Sequence, residues 1–155
     1  MEKSVNWKVL LVCLAIVYFV AFIGSLFTNS AVKSAWYEQI KPGITPPNWV
    51  FPVVWNILFF LIALSLYFVW TSRKNKNKKL TAVVYLLNFN FNMLWSLLYF
   101  GLRNPLSAFY QIIVLWLSIL LMIVYTWRID RKAGYLLILY LLWVSFASIL
   151  NYLSI

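Results

Sequence analysis

Residues 105–127 read PLSAFYQIIVLWLSILLMIVYTW, a run without one charged side chain, bounded by Arg103-Asn104 on one side and Arg128 on the other. At about 1.5 Å of rise per helical residue such a run covers a hydrocarbon core about 30 Å thick. Four more runs have the same character: Val9 to Phe27, Val50 to Trp70, Leu80 to Leu102 and Ala133 to Ile155. Within lipid every backbone N–H and C=O must be satisfied inside its own segment, which a helix does and an irregular chain does not. The sequence therefore predicts an all-α integral membrane protein. Its expected form is a bundle of five transmembrane helices over approximately 7–28, 48–71, 79–101, 105–128 and 133–154, with a structured first extramembrane loop, all in one domain over residues 1–155.

Composition agrees and removes most enzyme classes. Of the 155 residues 65% are hydrophobic and 10% charged, far from the balance of a soluble domain. The only acids are Glu2, Glu38 and Asp130, so paired-carboxylate hydrolysis and carboxylate metal sites within the membrane cannot be built. With no histidine and the single Cys13, the usual zinc and haem ligand sets and an intramolecular disulfide are excluded; no metal and no cofactor is expected. The run from Val9 is long enough to span and has no small-residue cleavage site, so it reads as a retained helix.

The charge balance is set by 13 basic residues, of which Arg73, Lys74, Lys76, Lys78 and Lys79 lie together between two apolar runs. That placement marks a loop flanking the membrane and drawn to anionic headgroups, not a nucleic-acid surface. Ten of the 13 fall on the N-terminal tail and on the second and fourth connections, which places the N-terminus in the cytoplasm and the C-terminus on the opposite face. A bacterial cell membrane is the expected setting.

The connections have chemistry of their own. Asn104-Pro105 fits an N-cap followed by proline at the first helical position, and Gly101 fits a left-handed helix stop, so the third and fourth helices should form a tight antiparallel pair. The first connection, Thr28 to Trp49, holds Pro42, Pro46 and Pro47, and a loop of this length stiffened by proline suits a lid over the bundle.

Nine tryptophans need a role. Trp7, Trp70 and Trp127 sit level with the basic connections and read as interfacial anchors. Trp55, Trp95 and Trp143 lie inside their helices, Trp36 and Trp49 in or beside the first loop. These five either line a cavity beneath the loop or pack a core. Asn88, Asn92, Trp95 and Tyr99 make one stripe of the third helix, and Tyr140, Trp143, Ala147 and Asn151 a similar stripe of the fifth. Amides at that depth must face inward, where they either bridge helices or touch a ligand. Ala21, Gly24 and Ser25 form a small-residue surface on the first helix, suited to an internal seam or to a dimer face.

The run Trp36-Tyr37 through Lys41-Pro42, Pro46-Pro47, Trp49, Phe51 and Trp55 resembles the first-loop signature of the TspO/MBR family, the tryptophan-rich sensory proteins and translocator proteins that include the peripheral-type benzodiazepine receptor. Asn92-Met93-Leu94-Trp95-Ser96 with Leu98-Tyr99-Phe100-Gly101 resembles the family's third-helix motif. Tyr140 through Trp143, Phe146, Ala147, Leu150 and Asn151 resembles its fifth. The likeness spans residues 36 to 151. It departs at Asn88, where Gln is usual, at Ile44, where a further Trp is common, at Leu139, where Pro is usual, and in a first loop one residue shorter between Trp36 and Pro42. No basic residue follows Tyr152, so the pattern linked to sterol handling is missing.

This resemblance implies a five-helix bundle, commonly a homodimer, that binds porphyrins and other tetrapyrroles, or synthetic benzodiazepine- and isoquinoline-type ligands, in a pocket beneath the first loop. The implied binding residues are Trp36, Pro42, Trp49, Phe51, Trp55, Phe59, Asn88, Asn92, Trp95, Tyr140, Trp143, Ala147 and Asn151, with Lys41 as a further polar rim. It also implies roles in stress responses or tetrapyrrole regulation, and, as an alternative, light-dependent porphyrin breakdown with Trp55 and Trp143 as the participating side chains. A third reading, a membrane scaffold or regulator whose partner docks on the basic loops, rests on the run Arg73 to Lys79.

Overall fold

The computed structural model describes residues 5–155; Glu2 and Lys3, counted above, lie outside that range. Helix α1 (Trp7–Ala31) starts at Asn6, whose side chain accepts a hydrogen bond from the Val9 N–H at 3.2 Å. A six-residue helix, α2 (Ala35–Ile40), interrupts the first loop, capped by Ser34. Helix α3 spans Val50–Thr71, and α4 runs over Lys78–Ser96 and continues as a π-helical turn, Leu97–Gly101. Helices α5 (Pro105–Ile129) and α6 (Arg131–Leu153) complete the chain. Five of these segments, all but α2, are long and apolar enough to cross a membrane.

Helix boundaries follow cap chemistry more than the edge of the apolar run. Helix α6 begins at Arg131 because the Asp130 carboxylate accepts from the Lys132 and Ala133 N–H groups at 2.8 and 3.4 Å, satisfying orphan donors of the first turn. Two charged residues thus join the helix at headgroup level. Helix α3 begins only at Val50, since Pro46 and Pro47 lack the N–H that a helix interior needs. Asn104 caps α5 as its sequence suggests, accepting from the Ser107 N–H at 3.0 Å with Pro105 in the first turn.

Gly101 is a correction. The left-handed residue of the α4–α5 turn is Arg103, at φ 50°, and no described glycine has positive φ. Gly101 instead lies where a Cβ would meet Leu97 at 3.0 Å and Phe27 at 3.3 Å, so close packing against α1 accounts for it.

The long helices close a ring in the order α1, α3, α6, α5, α4 and back to α1. Much of the outer surface is apolar, with Phe19, Leu121 and Leu142 at 60% exposure or more. Between helices in lipid the hydrophobic effect gives little drive, so close packing and buried hydrogen bonds hold them together. Near the basic end the fully buried Ser65 joins three helices: its hydroxyl contacts the Tyr85 hydroxyl at 2.7 Å and donates to the Ala133 carbonyl at 2.9 Å. Nearer the loop, the Gly24 carbonyl of α1 accepts from the Ser96 hydroxyl of α4 at 3.1 Å, which puts this part of the small-residue surface on an internal seam.

At Gly134 α6 lies close against the end of α5, because a Cβ there would stand 2.6 Å from Trp127 Cε3. Gly134→Ala is expected to destabilise the bundle by about 1–3 kcal/mol through this overlap. Thermal unfolding of the variant in detergent checks it, and an unchanged midpoint would show that Trp127 yields without cost.

Candidate functional site

Helix α3 presents Phe51, Trp55 and Phe59 four residues apart, one stripe on the face that meets α6. Trp55 stacks on Phe59 with centroids 5.4 Å apart and meets the Tyr140 ring edge-on at 6.2 Å. From α6, Trp143 meets Phe51 edge-on at 5.9 Å and lies 5.7 Å from Phe146. The result is an aromatic cleft between α3 and α6, toward the loop end of the bundle. Its own rings occupy it, and two open grooves lie at the opposite end. Within the cleft the Trp143 indole N–H is buried and has no acceptor. A buried donor left unpaired costs about 1–3 kcal/mol, more than an ordinary hydrogen bond returns.

Behind the cleft stands a polar network. The Tyr140 hydroxyl accepts from the Asn92 amide at 3.1 Å and donates to the Asn88 carbonyl oxygen at 3.3 Å, while the Asn88 amide donates to the Ser118 hydroxyl at 2.9 Å. Farther toward the loop, Trp95 donates its indole N–H to Asn151 at 3.0 Å, and Asn151 donates to the Pro105 carbonyl at 2.8 Å. Tyr99 reaches the Ser154 hydroxyl at 2.9 Å. The whole α4 stripe thus bridges to α5 or α6, and this bonding also orients the Tyr140 ring against Trp55.

The first loop closes the neighbouring part of the same end. Trp36 lies edge-on to Tyr99 at 6.0 Å with the Arg103 guanidinium 5.7 Å above its ring, and Tyr37 packs on Phe100 at 5.9 Å. Burial pushes the Tyr37 hydroxyl up to about 12, with Tyr99 and Glu38 adding to the effect, so it stays neutral at physiological pH. Lys41 pairs with Glu38 at 2.6 Å on the loop surface. The Thr45 hydroxyl is buried without a partner, a second unsatisfied polar atom at this end.

Phe51, Trp55, Phe59, Tyr140 and Trp143 therefore come together, and Ala147 is buried one turn beyond Trp143 on α6. Trp36 belongs to a second aromatic cluster under α2, and Trp95 joins the two, stacked on Tyr99 at 5.6 Å. Pro42 is half-buried in the loop. Trp49 meets neither cluster and is 68% exposed. Three residues carry no sequence signal of their position here: Thr45, Arg103 and Trp116, whose indole N–H donates to the Ser145 hydroxyl at 2.7 Å and pins α5 to α6. Arg103 and Trp116 meet partners distant in sequence, and Thr45 has none, so no local spacing marks them.

Fold and site together define a polytopic membrane protein with an aromatic cluster between α3 and α6, beside the part of the bundle that the first loop covers. Residues 11–154 match the TspO/MBR family, and the chain belongs to that family. It is 41% identical over 134 residues to the tryptophan-rich protein TspO of Archaeoglobus fulgidus, covering 86% of each chain. To the Chlorobaculum tepidum protein of the same name it is 35% identical, over 92% of this chain and 91% of the relative. The human translocator protein is 28% identical over 84% of this chain and 79% of its own length.

Proposed function

We propose that the cleft between α3 and α6 binds a flat, hydrophobic ligand of the porphyrin class, entering when the aromatic rings of Trp55 and Trp143 part beneath the first loop. The observation that carries this is the unpartnered, buried N–H of Trp143 inside an otherwise aromatic recess. A macrocycle edged by carboxylates offers both a face for the indoles and an acceptor for that donor. Family membership supports the same reading, through the expectation that its members bind tetrapyrroles. The N-terminus and basic connections face the cytoplasm in this reading, since the basic residues gather at the end opposite the cleft.

Titrating the detergent-purified protein with protoporphyrin IX in the dark tests the proposal. It requires tryptophan quenching that saturates at one porphyrin per chain and is reversed by an isoquinoline-type competitor. Quenching that rises linearly, as for porphyrin partitioning into micelles, would remove the assignment and leave the fold untouched. The presence of both Trp55 and Trp143 in one cleft also favours a second reading, light-dependent breakdown of bound porphyrin with dioxygen as the oxidant. Bleaching under light that needs the protein and both indoles would establish that activity.

A further inference from the structure

At the basic end, where α5 turns into α6 beside the end of α3, the surface opens into a groove of about 620 Å³. Lys74, Arg128, Arg131 and Lys132 line it, with Ser72 and Asp130. The Ser72 hydroxyl donates to the Ile129 carbonyl at 3.4 Å and so ties the end of α3 to the end of α5. Asp130 is the one acid present, and its carboxylate is held on the first-turn N–H groups of α6. Among the described residues none of the four cations is ion-paired, so the groove carries a concentrated positive charge.

A second groove of about 390 Å³ adjoins the first, lined by Ile123, Val124, Trp127 and Arg128. Trp127 and Arg128 belong to both. Ile123 and Val124 precede them by four residues, one helical turn deeper into the apolar part of α5, where Val124 is 45% exposed. The polar recess therefore continues into an apolar furrow on α5, open to the membrane at Val124 and floored by the buried Ile123.

We propose that these joined grooves hold one anionic glycerophospholipid, with its phosphate among Lys74, Arg128, Arg131 and Lys132 and an acyl chain along Ile123 and Val124 past Trp127. General attraction of a basic loop to an anionic leaflet needs no groove and discriminates among no positions. Here the charge is gathered around a recess that shares Trp127 and Arg128 with an apolar groove one helical turn deeper on α5. A soluble phosphate would satisfy the first half alone, and a nucleic acid would have no use for the second. The site lies at the other end of the bundle from the aromatic cleft and stands independently of what that cleft binds.

Native mass spectrometry of the full chain in an uncharged detergent, titrated with dioleoyl phosphatidylglycerol or dioleoyl phosphatidylcholine, tests it. The expected result is one retained phosphatidylglycerol per chain and weaker retention of phosphatidylcholine. Replacing the exposed groove pair Arg128→Gln and Arg131→Gln should weaken phosphatidylglycerol binding by about thirtyfold. The pair Lys76→Gln and Lys79→Gln removes the same charge from the same end but outside the groove, and should change it by less than about threefold. Val124→Trp, which fills the furrow on a membrane-facing position, should weaken binding while leaving all four cations in place. Equal losses from the two charge pairs would reduce the effect to diffuse attraction and overturn the proposal. Displacement of the lipid by millimolar inorganic phosphate, or an unchanged Val124→Trp titration, would overturn it as well.

Discussion

Replacing Tyr140 by alanine is expected to destabilise the bundle by about 3–5 kcal/mol, the largest single effect the structure points to. The side chain is fully buried, so the lost ring leaves a cavity among α3, α4 and α6 rather than a surface dent. The loss also strands the amides of Asn92 and Asn88, which meet the hydroxyl at 3.1 and 3.3 Å. Tyr140→Phe separates the two contributions. It keeps the ring against Trp55 and removes only the hydroxyl, at about 0.6–2 kcal/mol for hydrogen bonds of this kind within a membrane. Denaturant or thermal unfolding in detergent reads both variants. Should alanine cost no more than phenylalanine, ring packing contributes nothing and the bundle is held there by the amide network alone.

Trp143→Ala is expected to lower porphyrin affinity about tenfold or more, since it removes both a stacking face and a fully buried donor that has no acceptor in the protein. The sharper test is Trp143→Phe, because an aromatic face remains while the unpartnered N–H goes. A side chain present only for packing would lose stability on this exchange and leave affinity alone. If the N–H serves the ligand, the unliganded protein should lose little stability, because the packing lost with the larger ring is offset by removal of a buried donor that had no partner. Affinity should nevertheless fall. Trp49→Ala, at an exposed position, supplies the comparison and should leave the dark titration unchanged.

The sequence displayed some of this architecture and hid the rest for definite reasons. Five charge-free runs announce five spans, because hydrocarbon thickness sets their length, and Asn104-Pro105 announces the start of α5, because capping needs only neighbours in sequence. The ring order α1–α3–α6–α5–α4 has no such signature. In spans that are apolar on every side, the inward face is chosen by buried polar partners such as Ser65 with Ala133, 68 residues apart. Gly101 shows the limit of local reading: a glycine at a helix end suggests a left-handed stop, yet it is close packing against Leu97 and Phe27 that crowds a side chain there, and Arg103 takes the left-handed backbone instead.

The site divides in the same way. The stripes Asn88-Asn92-Trp95-Tyr99 and Tyr140-Trp143-Ala147 follow from helical periodicity, and they do face inward. That the Trp143 N–H is fully buried without an acceptor is a fact of three-dimensional placement, since Trp95 finds Asn151 and Trp116 finds Ser145. Trp49, quoted in the same loop motif as Trp36, is exposed because it ends the proline-stiffened segment just outside α3 rather than under α2.

The most direct test of the aromatic cleft as a ligand site is an experimental structure of the protein with protoporphyrin IX bound. The account predicts the macrocycle between α3 and α6, in contact with Trp55 and Trp143, with the Trp143 Nε1 donating to an acceptor on the ligand. A macrocycle seated elsewhere on the bundle, with the Trp143 N–H still unpartnered, would contradict it.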